Sequence, residues 1–212
     1  EFRRVLFRSH MAVKLTATDR LLKLARRQPI LRVKDLLAAG IHPEHLRRLH
    51  QQGVMERASR GVYRLADAEH TEHLSLAEVA KRVPHGVVCL LSALLFHGMG
   101  TQLPPDVWLA VERRAARPAS MNPKLRVVRL SDQAFSEGIE ERRIEGVTVR
   151  VYCPAKTVVD CFKFRHKVGL DVALEALRDG WRSRKLKMGE LVRFAKICRV
   201  ANVMRPYLES LS

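Results

Sequence analysis

The chain has 212 residues, 47% of them hydrophobic, enough to bury a core and form two modest domains. Thirty-nine basic residues against 22 acidic give a formal net charge of +17, a balance that suits polyanionic partners. The charge is spread along the chain, with a net +2 over 1–10, +6 over 11–70 and +9 over 71–212. The longest apolar run, 86–96, falls short of the ~20 residues that cross a bilayer. No secretory pattern is visible, so the reading is of a cytoplasmic protein with no membrane partner. Cys89, Cys153, Cys161 and Cys198 show no C-x-x-C pairing; they read as reduced, mostly buried thiols.

Residues 1–10 read as non-native sequence ahead of a start at Met11, with an unstructured basic arm as the alternative. Thr16 or Thr18 is placed to cap a first helix, whose Leu21, Leu22, Leu24 and Ala25 recur at helical spacing and which Pro29 ends. A short second helix is predicted over 33–39, with Val33, Leu36 and Leu37 inward and Gly40 at its left-handed C-terminus. After a turn at Ile41 and His42, a third helix over 43–52 begins on Pro43, whose missing amide proton costs nothing there. Leu46 and Leu49 mark its inner face; His42, His45, Arg47, Arg48, Gln51 and Gln52 lie elsewhere. Gly53 closes it, and β-favourable segments at 54–57 and 61–65 flank a polar turn at 58–60. Three helices followed by a hairpin tipped with Arg60 predict a winged helix-turn-helix over 11–70, a shape that fits double-stranded DNA.

The polar stretch 67–71 marks the expected junction. Beyond it the pattern predicts a helix over 74–82 and a buried segment over 87–96 that favours helix. Strands follow at 107–111 and 125–130, then a hairpin over 144–152 turning at Glu145 and Gly146. Helices opening at Pro154 and over 170–181, 188–198 and 203–211 complete the chain. The expected second domain, 71–212, is α+β: a small antiparallel sheet packed by a helical bundle.

The candidate DNA-binding residues are His42, His45, Arg47, Arg48, Gln51, Arg57, Ser59 and Arg60. Arg47 and Gln51 share a helix face; arginine forks onto guanine and glutamine pairs with adenine in the major groove. Either arginine contacting only phosphate would position without specifying. Arg57, Ser59 and Arg60 suit minor-groove or phosphate contact, against the plainer reading of a solvated hairpin tip. Tyr63 is expected to pack on the helices. The spacings His42-x-x-His45 and His70-x-x-His73 lack partners for zinc, so no metal or other cofactor is expected. Asp106 and Glu112, near the two ends of one strand, raise the alternative of a magnesium-dependent nuclease. Arg114 stands where such a site needs a lysine, and arginine makes a poor base. No catalytic residue is assigned. Lys156, Thr157 and Asp160 open a helix, where capping is the safer reading than anion binding.

Several segments together carry a family resemblance. They are Gly53-Val54-Met55-Glu56-Arg57 leading to Arg60-Gly61-Val62-Tyr63-Arg64-Leu65, Leu91-Ser92-Ala93-Leu94 with Trp108-Leu109-Ala110-Val111, Ala155-Lys156-Thr157-Val158-Val159-Asp160-Cys161, Ala173-Leu174-Glu175-Ala176-Leu177, and Arg205-Pro206-Tyr207-Leu208-Glu209. Over roughly 18–211 the chain resembles the AbiEi-type antitoxins of type IV toxin–antitoxin systems. The resemblance implies a repressor of its own operon, binding an operator with inverted repeats, with the second domain acting as antitoxin. The implied functional partner is a nucleotidyltransferase-like toxin, countered without a stable complex. Lys156 departs from the arginine found in many relatives, which weakens any contact needing a planar bidentate cation.

Overall fold

The computed structural model describes residues 16–28, 30–59, 61–67, 73–119 and 123–211, with backbone alone at 58 and 59. The expectations for residues 1–10, Pro29, Arg60, His70 and most of the 67–71 junction lie outside these residues. Among the described residues the chain is a mixed α and β protein with two sheets.

Helix α1 (Ala17–Arg27) starts at Thr16, not Thr18. The Thr16 hydroxyl accepts from the Asp19 amide and the Asp19 carboxylate accepts from the Thr16 amide, a reciprocal capping box. The two-residue strand β1 (Leu31–Arg32) leads into α2 (Val33–Ala38). Gly40, at φ +66°, then reverses the chain in a conformation that a side chain would strain. Helix α3 (Pro43–Gln51) has Pro43 in its first position. Strands β2 (Met55–Ser59) and β3 (Val62–Leu65) form a hairpin with a register shift between Arg57 and Ser59, and β1 pairs antiparallel to the far side of β3. Leu21, Ala25, Leu31, Leu36, Ile41, Leu46, Leu49 and Met55 make one buried cluster, with Tyr63 packed against it. Leu37, predicted inward, is 59% exposed.

Helix α4 (Leu74–Arg82) follows the predicted bounds. The apolar run after it is not one helix. It splits into strand β4 (Val87–Val88) and helix α5 (Leu90–His97), because buried Leu90 takes a left-handed φ of +47° and bends the backbone between them. Strands β5 (Val107–Glu112) and β6 (Leu125–Leu130) are followed by a short helix α6 (Asp132–Ser136). Strands β7 (Ile139–Ile144) and β8 (Val147–Tyr152) join through Glu145 and Gly146, both at positive φ, as a two-residue hairpin turn requires. Helices α7 (Pro154–Lys163), α8 (Arg165–Val168), α9 (Leu170–Arg182), α10 (Met188–Ile197) and α11 (Ala201–Glu209) complete the fold.

The five-stranded sheet has the order β6-β5-β4-β8-β7. The expectation of an antiparallel sheet is corrected: β5 runs parallel to β6, and β4 parallel to β8. Parallel neighbours need a crossover, which the connections through 113–124 and through β5 to β7 provide. One face presents Val87, Trp108, Ala110, Val128, Leu130 and Tyr152 to a cluster that includes residues of α5, α7, α9, α10 and α11. The other face presents Val88, Val107, Leu109, Val111, Val147, Val149 and Val151 to α4. Ile30 and Val62 join this second cluster, and the Lys81 ammonium reaches the Asp35 carboxylate at 2.9 Å, so the first sheet is tied to α4.

Lys156 and Asp160 do not cap α7. Both are fully buried one turn apart, with Lys156 Nζ 2.5 Å from Asp160 Oδ2 and 4.1 Å from the centre of the Tyr152 ring. Thr157 donates its hydroxyl to the Tyr152 carbonyl. Burial pushes the Asp160 carboxyl up against the pull of Lys156. Cys89, Cys161 and Cys198 are buried free thiols, and burial raises Cys198 to about 12. Cys153 is only partly buried.

Candidate nucleic-acid interface

The amphipathic pattern of α3 turns Leu46 and Leu49 into the core. The opposite side carries Glu44, Arg47, Arg48 and Gln51, spaced i, i+3, i+4 and i+7, which is one continuous stripe. Arg47, Arg48 and Gln51 are exposed and Glu44 is partly exposed. These three predicted residues therefore come together on one face.

The stripe is not uniform in charge. Glu44 accepts from Arg47 Nε at 2.9 Å and from Arg47 Nη2 at 2.6 Å. The hydrogen bond from Arg47 holds the Glu44 carboxyl below its ordinary range, and Glu44 raises Arg47 in turn. Arg48 forms no ion pair among the described residues. Its charge also acts on Glu44, at longer range than that of Arg47.

The two histidines predicted beside the stripe sit differently. His42 is the N-cap of α3: its Nδ1 accepts from the Glu44 amide at 3.2 Å. An accepting Nδ1 carries no proton, which leaves Nε2 as the ring's donor. His45 is half-buried, and its Nδ1 is shielded from solvent with no hydrogen-bond partner among the described residues.

On the hairpin, Arg57 is exposed. Ser59 pairs by its backbone opposite Val62, and Arg60 lies outside the described residues. The hairpin is braced by the ion pair of Arg64 with Glu56. It is held to α3 by His50, whose Nδ1 donates to the Met55 carbonyl at 3.0 Å while its ring meets Tyr63 edge-on. Sequence reasoning missed Glu44 and His50. The Glu44–Arg47 spacing was a visible signal for the first. Nothing in the sequence marks His50 as a brace, because its partner is a backbone carbonyl.

The rival nuclease site does not assemble. Asp106 is occupied by Arg126, whose Nε lies 3.0 Å away. Glu112 lies six residues along the strand, roughly 20 Å distant at the usual rise, too far to share an ion. Among the described residues, no group of three or more His, Cys, Asp or Glu is placed to hold a metal. No helix among them is long and apolar enough to cross a membrane.

Residues 19–66, the span holding α1 to β3, match the model of a family described as transcriptional regulator, AbiEi antitoxin. The fold as a whole is similar to the crystal structure of the RV2827C protein from Mycobacterium tuberculosis. The TM-score is 0.60 and the identity 15%, covering 85% of this chain and 71% of that one. No curated protein matches the chain.

Proposed function

We propose, from the match of residues 19–66 to the AbiEi antitoxin regulators, that this protein is a DNA-binding transcriptional repressor and antitoxin. Residues 11–70 form its winged helix-turn-helix and residues 71–212 its antitoxin domain. The observation that carries the reading is the polar stripe of α3, set opposite a buried core face and followed by a basic hairpin. In this arrangement α3 lies in the major groove and the hairpin tip reaches the flanking backbone or minor groove. His42 Nε2, Arg47, Arg48 and Gln51 face the bases and phosphates, while Arg57, Ser59 and Arg60 meet the strand beside them. His45 contributes less, because it is partly drawn inward.

The binding site is an operator with inverted repeats in the protein's own upstream DNA. The functional partner is a nucleotidyltransferase-like toxin, countered without a stable complex; the family resemblance supports this part. The test is fluorescence anisotropy with the upstream duplex and a random duplex at rising salt. Four phosphate contacts would lower affinity about 100-fold between 50 and 200 mM salt. A flat salt response with no preference over random DNA overturns the repressor reading. For the antitoxin reading, co-expression with the neighbouring gene product restores growth, and failure to do so overturns it.

A further inference from the structure

The ion pair on the exposed stripe of α3 restricts what that helix can read. An arginine side chain has five N–H donors in a fixed plane. In this structure Arg47 commits Nε and one side of Nη2 to Glu44. The outer edge, formed by Nη1 and the second Nη2 hydrogen, makes no hydrogen bond among the described residues. That edge still matches the O6 and N7 acceptors of guanine. A free arginine on an exposed helix must lose several rotamers to bind, whereas the ion pair with Glu44 already narrows that choice, so less is lost on contact. Glu44 keeps some accepting capacity: Oε1 takes both Nε and Nη2 of Arg47, whereas Oε2 takes Nε alone, so one lone pair of Oε2 is left, one turn toward the helix N-terminus, the end that enters the groove deepest.

A carboxylate at a groove floor is selective by repulsion as well as by attraction. It accepts from the exocyclic amino group of cytosine or adenine and is repelled by thymine O4 and guanine O6. We propose that Glu44 and Arg47 act as one reading unit, Arg47 taking a guanine through its outer edge and Glu44 requiring an amino-bearing base beside it. Glu44 is a positioning residue for Arg47 and a specificity residue in its own right. Arg48, which makes no close ion pair among the described residues, supplies charge to the backbone. The inference rests on the proposed reading of α3 as the groove-entering helix and names what that helix recognises.

Selection from a randomised duplex library, with wild type, Glu44→Ala, Glu44→Gln and Arg47→Ala, tests it. Wild type recovers a guanine next to cytosine or adenine at a fixed position. Arg47→Ala lowers the guanine preference about tenfold. Glu44→Ala admits thymine and guanine at the neighbouring position and weakens the guanine preference. Its affinity for random duplex holds or rises, because a negative charge has left the face. Glu44→Gln keeps part of the neighbour preference, since its amide oxygen still accepts. Unchanged melting temperatures show that each variant folds. If Glu44→Ala selects the same sequences as wild type, the reading unit is overturned while the repressor reading stands. If wild type selects nothing and its binding is insensitive to salt, the repressor reading fails as well.

Discussion

Helices α3 and α7 each carry a cation and a carboxylate about one turn apart, and they use them in opposite ways. On α3 the Glu44–Arg47 pair lies in water, where ion pairs contribute little to stability and can exchange one partner for another. On α7 the Lys156–Asp160 pair is sealed beneath Tyr152 and the helices packed on the larger sheet, and it can exchange with nothing. The lesson is that helical spacing sets which charges meet, while solvent sets what their meeting is for. An exposed pair remains available to a ligand. A buried pair belongs to the fold.

The sharpest way to break this comparison is to remove one member of the buried pair. Lys156→Met leaves Asp160 a buried acid whose remaining side-chain hydrogen bond is the weak one from the Cys198 thiol, and is expected to cost about 3–5 kcal/mol, read from the urea midpoint. The double variant Lys156→Met, Asp160→Leu should recover most of that loss, because neither charge then needs a partner. A neutral single variant would show that the α7 pair is no more structural than the α3 pair.

The Asp35–Lys81 pair, intermediate in burial, refines the contrast through pH. Burial disfavours ionisation of Asp35, yet hydrogen bonds from Lys81 and the Arg32 amide outweigh it and hold the carboxyl below its ordinary range. A depressed carboxyl stabilises the folded chain above the unfolded value of about 3.9 and loses that contribution as pH falls through the folded one. Asp35→Asn should therefore melt lower than wild type from pH 7 to about pH 5, and the gap should narrow below about pH 4. A gap that persists unchanged at low pH would remove the ionic contribution. The smallest expected effect is at the rim of α3. His42→Ala removes the N-cap and should cost about 0.5–1 kcal/mol, with hydrogen exchange faster at the Glu44 amide than elsewhere in the helix. Uniform exchange along α3 would mean that the cap contributes nothing.

Much of the fold was legible because local signals agreed. Thr16 with Asp19, Pro43 at a helix start, Gly40 after a helix end, and Glu145-Gly146 between two alternating segments each name an element boundary through their own chemistry. What stayed hidden was set by distant partners. β1 and β4 are two residues long and exist only because β3, β5 and β8 pair with them. Leu90 turns strand into helix without a glycine or proline to announce it. Parallel pairing of β5 with β6 leaves the same alternation in sequence as antiparallel pairing would. The site divided along the same line. The exposed cations of α3 were readable from periodicity, whereas the pairing of Arg47 with Glu44 and the inward turn of His45 depend on rotamers and packing. Lys156 is the clearest case: an i, i+4 pair with Asp160 looks the same on paper whether it faces water or the interior.

The seam between the first sheet and α4 has a mechanical consequence. Ile30 and Val62 are embedded with Leu74, Leu76, Ala77 and Val79 in a single apolar seam, and Lys81 rivets that seam to Asp35. Such a seam resists hinging, so the angle between α3 and the five-stranded sheet is set by packing within the fold. A partner touching both parts would meet them at that preset angle.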